Sequence, residues 1–214
     1  PYAEERRILL IRGDNTDVDC SWDSIPAGKL TLHDLERYDI AISASPLYPN
    51  PDAEFTAVAR ITDLIYSRLS WRRLVYMIVR EAANLYYSRL KITRNQHLAK
   101  AQLCYLLREA RHQGVAVGLD TLRFHSIDVD VRTLADFIFF KAMGLVTIPR
   151  EWSWIFGFIE PTMIRSMRRS QFIVLSKNSA LGLGVFRRLP WHKEEHENLL
   201  RILDIKVEHG EPIQ

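Results

Sequence analysis

Short apolar runs alternate with longer stretches of helical period along this chain. Residues 7–12 (RILLIR) read as a buried strand that Gly13 ends. An acidic loop follows, carrying Asp14, Asn15, Thr16, Asp17 and Asp19, then Pro26 and Gly28. Residues 31–37 suit a helical turn, with Thr31 as N-cap and Asp34 and Glu36 near its positive end. Residues 38–44 (YDIAISA) predict a second strand, closed by a loop with Pro46, Pro49 and Pro51. Asp52 is expected to cap the next helix, whose apolar stripe is Phe55, Val58, Ala59, Thr62, Ile65 and Leu69. Residues 74–79 (LVYMIV) are the most continuously apolar strand, as expected when helices cover both faces. Asn95 opens a long helix through His112, and Gly114 ends it as a C-cap. Strand 115–119, a short helix at 131–134 and strand 137–141 come next. Residues 172–176 and 184–187 predict a closing hairpin, and 196–205 a terminal helix.

Strands separated by helices predict an α/β domain, with a mainly parallel sheet flanked by helices. No repeat or linker divides the chain, so residues 1–214 read as one domain. The stretch 150–170 departs from regular order: Trp152, Trp154, Phe156 and Phe158 suggest a small helical insertion. Composition narrows the class. Hydrophobic residues make up 47% and charged residues 26% of the 214, ordinary globular values that exclude disorder and fibrous repeats. Cys20 and Cys104 build neither a disulfide framework nor a metal pair, which points to a reducing, cytoplasmic compartment, a virus-infected host's included. No apolar run reaches the roughly 18 residues of a membrane span, and no signal peptide opens the chain. The net charge is only +3, yet 22 of the 29 basic residues are arginine. Guanidinium forks bind phosphate and carboxylate bidentately, which suits a nucleotide or nucleic acid; biased coding would give the same excess. The first residue is Pro1 rather than Met, so a motif missing here says little about function.

Ligands of parallel α/β sheets bind beyond the carboxyl ends of the strands. Strand 74–79 leads into Arg80, Glu81, Ala82, Ala83 and Asn84; strand 115–119 into Asp120, Thr121, Leu122 and Arg123; strand 7–12 into Gly13, Asp14 and Asn15. A carboxylate, a hydroxyl and a guanidinium are thus expected on one edge. Such a set can orient a water against a phosphoryl group and stabilise the developing charge.

The run from the strand through Arg80-Glu81-Ala82-Ala83-Asn84-Leu85 resembles the Walker B segment of HerA–FtsK-type P-loop ATPases, the RecA-like DNA pumps and translocases. The run from Arg108 to Val115, then Thr121-Leu122-Arg123 and Ile127-Asp128, resembles the family's sensor region, and residues 135–141 (ADFIFFK) its following strand. The resemblance covers about residues 74–141. It implies ATP hydrolysis with Mg2+, DNA as partner, and a homo-oligomeric ring such as a hexamer that moves or packages DNA. Glu81 would take the water-orienting role, Thr121 and Arg123 the sensor role; Arg80 and Asp120 would belong to the phosphate site, with Arg80 contacting phosphate or a neighbouring acidic residue such as Asp120. Arg132 is the candidate arginine finger acting on a neighbouring subunit, whereas Arg108 and Arg111 read as helix-end charges. Arg80 stands where the family carries an Asp that supports magnesium, and Leu122 replaces the sensor Gln. No Walker A pattern occurs: the one Gly-Lys, Gly28-Lys29, is followed by Leu30 and preceded by a loop. Either the phosphate loop lies upstream of Pro1, or the chain is a degenerate relative acting as a DNA- or motor-binding scaffold.

Other groupings are looser. Arg72, Arg73, Arg89, Lys91 and Arg94, interleaved with Trp71, Tyr86 and Tyr87, would suit DNA phosphates and bases, or form a solvated rim. Asp14, Asp17, Asp19 and Asp23 offer a third reading, a metal-dependent nuclease. His112 and His125 flank the sensor strand, where an imidazole can titrate near neutrality.

Overall fold

The computed structural model describes residues 6–67, 74–88, 93–142, 157, 159–177, 181–187 and 206–209. The first elements are β1 (Ile8–Arg12), β2 (Thr16–Asp19), β3 (Asp23–Pro26), α1 (Leu32–Arg37), β4 (Ile40–Ser43) and α2 (Pro51–Tyr66). Then come β5 (Val75–Val79), α3 (Ala82–Leu85), α4 (Arg94–Glu109), β6 (Val115–Leu119) and α5 (Val129–Thr133). The last are β7 (Phe137–Lys141), α6 (Pro161–Ser166), β8 (Gln171–Ser176), β9 (Leu181–Val185) and β10 (Lys206–His209). This is a mixed α/β chain with parallel strands and flanking helices. It divides into two compact units, one comprising Pro1–Ile78, Leu90–Gly118 and His196–Gln214, the other Val79–Arg89 and Leu119–Glu195.

In the first unit β1 lies between β3 and β4, parallel to both, with Leu10 opposite Ser24 and Ile42. A central parallel strand has both faces covered, and Ile8, Leu9, Leu10 and Ile11 are all buried. Leu9 and Ile11 join Leu30, Leu47, Tyr48 and Ala57 in one cluster. Thr31 is the N-cap of α1, as its sequence predicts, and with Asp34 it closes a capping box. A second cluster, Ile65, Leu106, Ala110 and Val115, joins α2, α4 and β6. At the other end of that helix pair, the Asn95 amide donates to Asp52 at 2.9 Å and to Thr56 at 3.0 Å. β5 and β6 pair in parallel: Val75 N donates to Gly114 O and Asp120 N to Val79 O, each at 3.0 Å. Gly114, at φ 71°, turns the chain from the short 3-10 segment after α4 into β6; this left-handed backbone suits glycine.

Several expectations are corrected here. The acidic loop contains a strand, β2, antiparallel to β10, because Thr16 and Val18 alternate inward with exposed Asp17 and Asp19. Asn50, not Asp52, caps α2; Pro51 fills the first turn, where no amide partner is needed, and Asn50 accepts from Ala53 N at 2.9 Å. Thr93 is the N-cap position of α4, and that helix ends at Glu109 rather than running through His112. β5 is not covered on both faces: Tyr76 and Ile78 are 67% and 64% exposed. The proposed terminal helix at 196–205 lies outside the described residues, as do Trp152, Trp154, Phe156 and Phe158 of the 150–170 insertion.

In the second unit β7, β8 and β9 form an antiparallel sheet, so the closing hairpin is present and β7 pairs with it. Ile138, Phe140, Ile173 and Leu175 point to one face and pack with Ile159 and Ile164.

Candidate nucleotide site

The segments leaving β5 and β6 meet in the second unit. The Asp120 carboxylate accepts from the Glu81 amide at 2.7 Å, and the Asp120 carbonyl accepts from the Ala82 amide at 2.8 Å. These bonds fix the turn after β5. Ala82 and Ala83 are fully buried. Tyr86, also fully buried, anchors the end of α3, and its carbonyl accepts from Asp128 N at 2.8 Å.

Glu81 is the sole non-glycine residue with positive φ among the described residues, at φ 49° and ψ 45°. That left-handed backbone is uncommon outside glycine and asparagine. Among the described residues, no hydrogen bond or ion pair engages its half-buried carboxylate. Arg80 Nε lies 3.7 Å from Asp120 Oδ2, an exposed pair and therefore a weak one. Arg123 donates to the Asn84 side chain, tying the sensor segment to α3. The Thr121 hydroxyl accepts from Arg123 N at 3.0 Å. Asp128 caps α5 by accepting from Asp130 N at 3.1 Å.

Arg80, Glu81, Asp120, Thr121 and Arg123 thus come together as the sequence placed them. Arg132 lies on α5, half-buried, with its guanidinium 5.8 Å from the Phe124 ring centroid. Asn84 is the residue that sequence reasoning left without a role, although it stands in the quoted run. The left-handed turn at Glu81 had no sequence signal, since glycine or asparagine would mark one. Arg72, Arg73, Arg89 and Lys91 lie outside the described residues, and Arg94 is described only as the start of α4. His112 and His125 are exposed.

Arg80 and Arg123 are the two guanidinium groups of these segments. Asp120 is already held by Arg80 and the Glu81 amide. Among the described residues no three His, Cys, Asp or Glu side chains gather to hold a metal ion. The acidic N-terminal residues do not form such a site either: Asp14 accepts from Gly28 N at 2.8 Å and Asp23 from the Tyr38 hydroxyl at 2.6 Å. The nuclease reading has no geometric support there. Gly28, whose amide is given to Asp14, forms no phosphate cradle.

No protein-family model and no curated protein sequence matches this chain. Among solved structures it is similar to the genome packaging NTPase B204 from Sulfolobus turreted icosahedral virus 2. With sulfate the TM-score is 0.49 at 16% identity, over 87% of this chain and 85% of that one. With AMPPCP it is 0.48 at 16% identity, over 88% and 86%. A HORMA:CdnC:Trip13 complex of E. coli MS115-1 gives 0.35 at 14% identity, over 75% and 57%. Among the described residues no helix is long and apolar enough to cross a membrane.

Proposed function

We propose that this chain is the ATP-hydrolysing domain of a ring-forming motor that moves or packages DNA, working in the cytoplasm. The observation that carries the reading is Glu81: held in a left-handed turn next to Arg80 at the carboxyl end of a strand, its carboxylate meets no hydrogen bond or ion pair among the described residues. In this reading the Glu81 carboxylate orients the attacking water and takes its proton. The Arg123 guanidinium, positioned by Asn84, meets the charge that grows on the phosphoryl oxygens, and Thr121 fixes the backbone that carries it. ATP with Mg2+ supplies the phosphoryl chemistry when bound; Arg80 and Arg123 would hold the phosphates. Arg132 is the candidate for reaching a neighbouring subunit.

The test compares Glu81→Gln with wild type in the protein as it occurs naturally. Turnover is expected to fall by roughly 10²- to 10⁴-fold, the usual weight of a positioned general base, while nucleotide affinity stays the same. Hydrolysis at the wild-type rate would remove Glu81 from the site. A second reading, a non-hydrolysing scaffold, is favoured by one observation: Arg80 and Asp120 pair where the family's magnesium carboxylate stands. Wild-type protein that binds DNA but turns over no ATP would select it.

A further inference from the structure

An antiparallel sheet with one face in the core ordinarily turns polar residues outward on the other. The β7–β8–β9 sheet does not. The inward residues of β7 and β8 form the cluster around Ile173 and Ile164. The outward positions of β7 are Phe137, Phe139 and Lys141. The register sets Phe139 opposite Val174, Lys141 opposite Phe172, and Phe172 opposite Gly184. Phe186 extends the row just past β9, its amide donating to Ser170 O at 2.7 Å.

The rings form a ladder. Phe139 and Phe172 lie 5.7 Å apart between centroids, Phe172 and Phe186 4.4 Å apart, and Lys141 Nζ sits 5.4 Å from the Phe186 centroid. Gly184 is the floor beneath Phe172, for a Cβ there would collide with the ring. Phe137, Phe139 and Phe186 remain 64%, 57% and 48% exposed. At the same end of the sheet stand Lys141, Arg168, Arg169 and Arg187, all exposed. No carboxylate pairs with any of these four among the described residues.

We propose that this face is a platform for single-stranded nucleic acid. Phe139 and Phe186 present ring faces to successive bases, and Phe172 bridges them. Lys141, Arg168, Arg169 and Arg187 neutralise phosphates along the strand. Base–aromatic stacking needs an unpaired base, which a duplex hides, and a cationic rim suits a polyanion. The same rim repels a second copy of itself, and Phe172 lies flat on Gly184 rather than projecting as a membrane-inserting side chain would. The proposal extends the motor reading by naming a contact surface, yet it requires no nucleotide turnover.

The experiment therefore omits nucleotide. The whole chain is titrated into fluorescein-labelled oligothymidylate about 20 nucleotides long, enough to span an aromatic platform, and followed by anisotropy over a range of salt. Phe139→Leu and Phe186→Leu, which keep apolar bulk but remove the ring, should each weaken binding by about 5- to 100-fold. The double variant Arg168→Gln, Arg169→Gln should lower the salt slope of log K by about 1.4. A duplex of equal length should bind more weakly. Ultraviolet crosslinking should map to residues 137–141 or 186, which settles the site even if a variant misfolds. The proposal is overturned if the leucine variants bind as wild type or if the crosslink maps elsewhere. It is equally overturned if phosphatidylserine vesicles bind and the oligonucleotide does not, or if the face serves only to pair two copies. Loss of ATPase in Glu81→Gln with oligonucleotide binding retained separates this site from the motor reading.

Discussion

Holding a glutamate at φ 49° stores about 1–3 kcal/mol of backbone strain. Glu81→Gly is therefore expected to raise stability by about 1 kcal/mol in urea melts, the low end of that range because glycine also loosens the unfolded chain. A loss of stability would show that the turn is unstrained. A second residue-scale effect belongs to Tyr48. Burial, in first place, pushes its hydroxyl up to about 12 from an ordinary 10.0. The hydroxyl shares a 2.7 Å hydrogen bond with Ser43 and donates to the Ile11 carbonyl at 3.3 Å. Its pKa is higher folded than unfolded, so the neutral form favours the folded state. That contribution is complete below pH 10.0 and is lost as pH rises through about 12. Tyr48→Phe should flatten the alkaline fall in stability while costing about 0.5–1.5 kcal/mol at neutrality for the lost hydrogen bonds. Parallel alkaline melts of the two proteins check both effects.

Capping tests the element scale. Asn50→Ala removes the acceptor for Ala53 N at the start of α2 and should cost about 1 kcal/mol by thermal or urea melting. Asp52→Ala, the cap expected from sequence alone, should change α2 less through capping. The difference shows what a sequence reveals. The run RILLIR declares its strand, because a strand covered on both faces needs apolar residues at every position. The Thr31 cap and the Gly114 terminator are local chemistry, legible without the rest of the chain. β2 was hidden because its partner comes from the distant β10, and nothing nearby advertises the pairing. The burial of β5 was overread for a similar reason: apolar residues permit coverage but do not supply it. In the site, residue types at strand ends were readable. The Arg123–Asn84 contact and the turn at Glu81 arise only when two strand ends are brought together.

At the scale of the molecule, each compact unit has its own buried apolar cluster, and apolar surface remains on both β5 and β7. The pairing of β2 with β10 carries a further consequence, for the newborn chain. Thr16 meets His209, about 190 residues later, so at ribosomal rates of roughly 5–20 residues per second β2 waits on the order of 10–40 s for its partner. Throughout that interval its edge stands open to neighbouring nascent chains. Asp17 and Asp19, exposed on this strand, are expected to act as gatekeepers during the wait, since two like charges at alternate positions discourage a stray strand from docking. Replacing both with Thr should leave the melting of purified protein little changed while lowering the soluble fraction recovered from expressing cells. An unchanged soluble yield would assign the acidic pair to the finished fold instead of its synthesis.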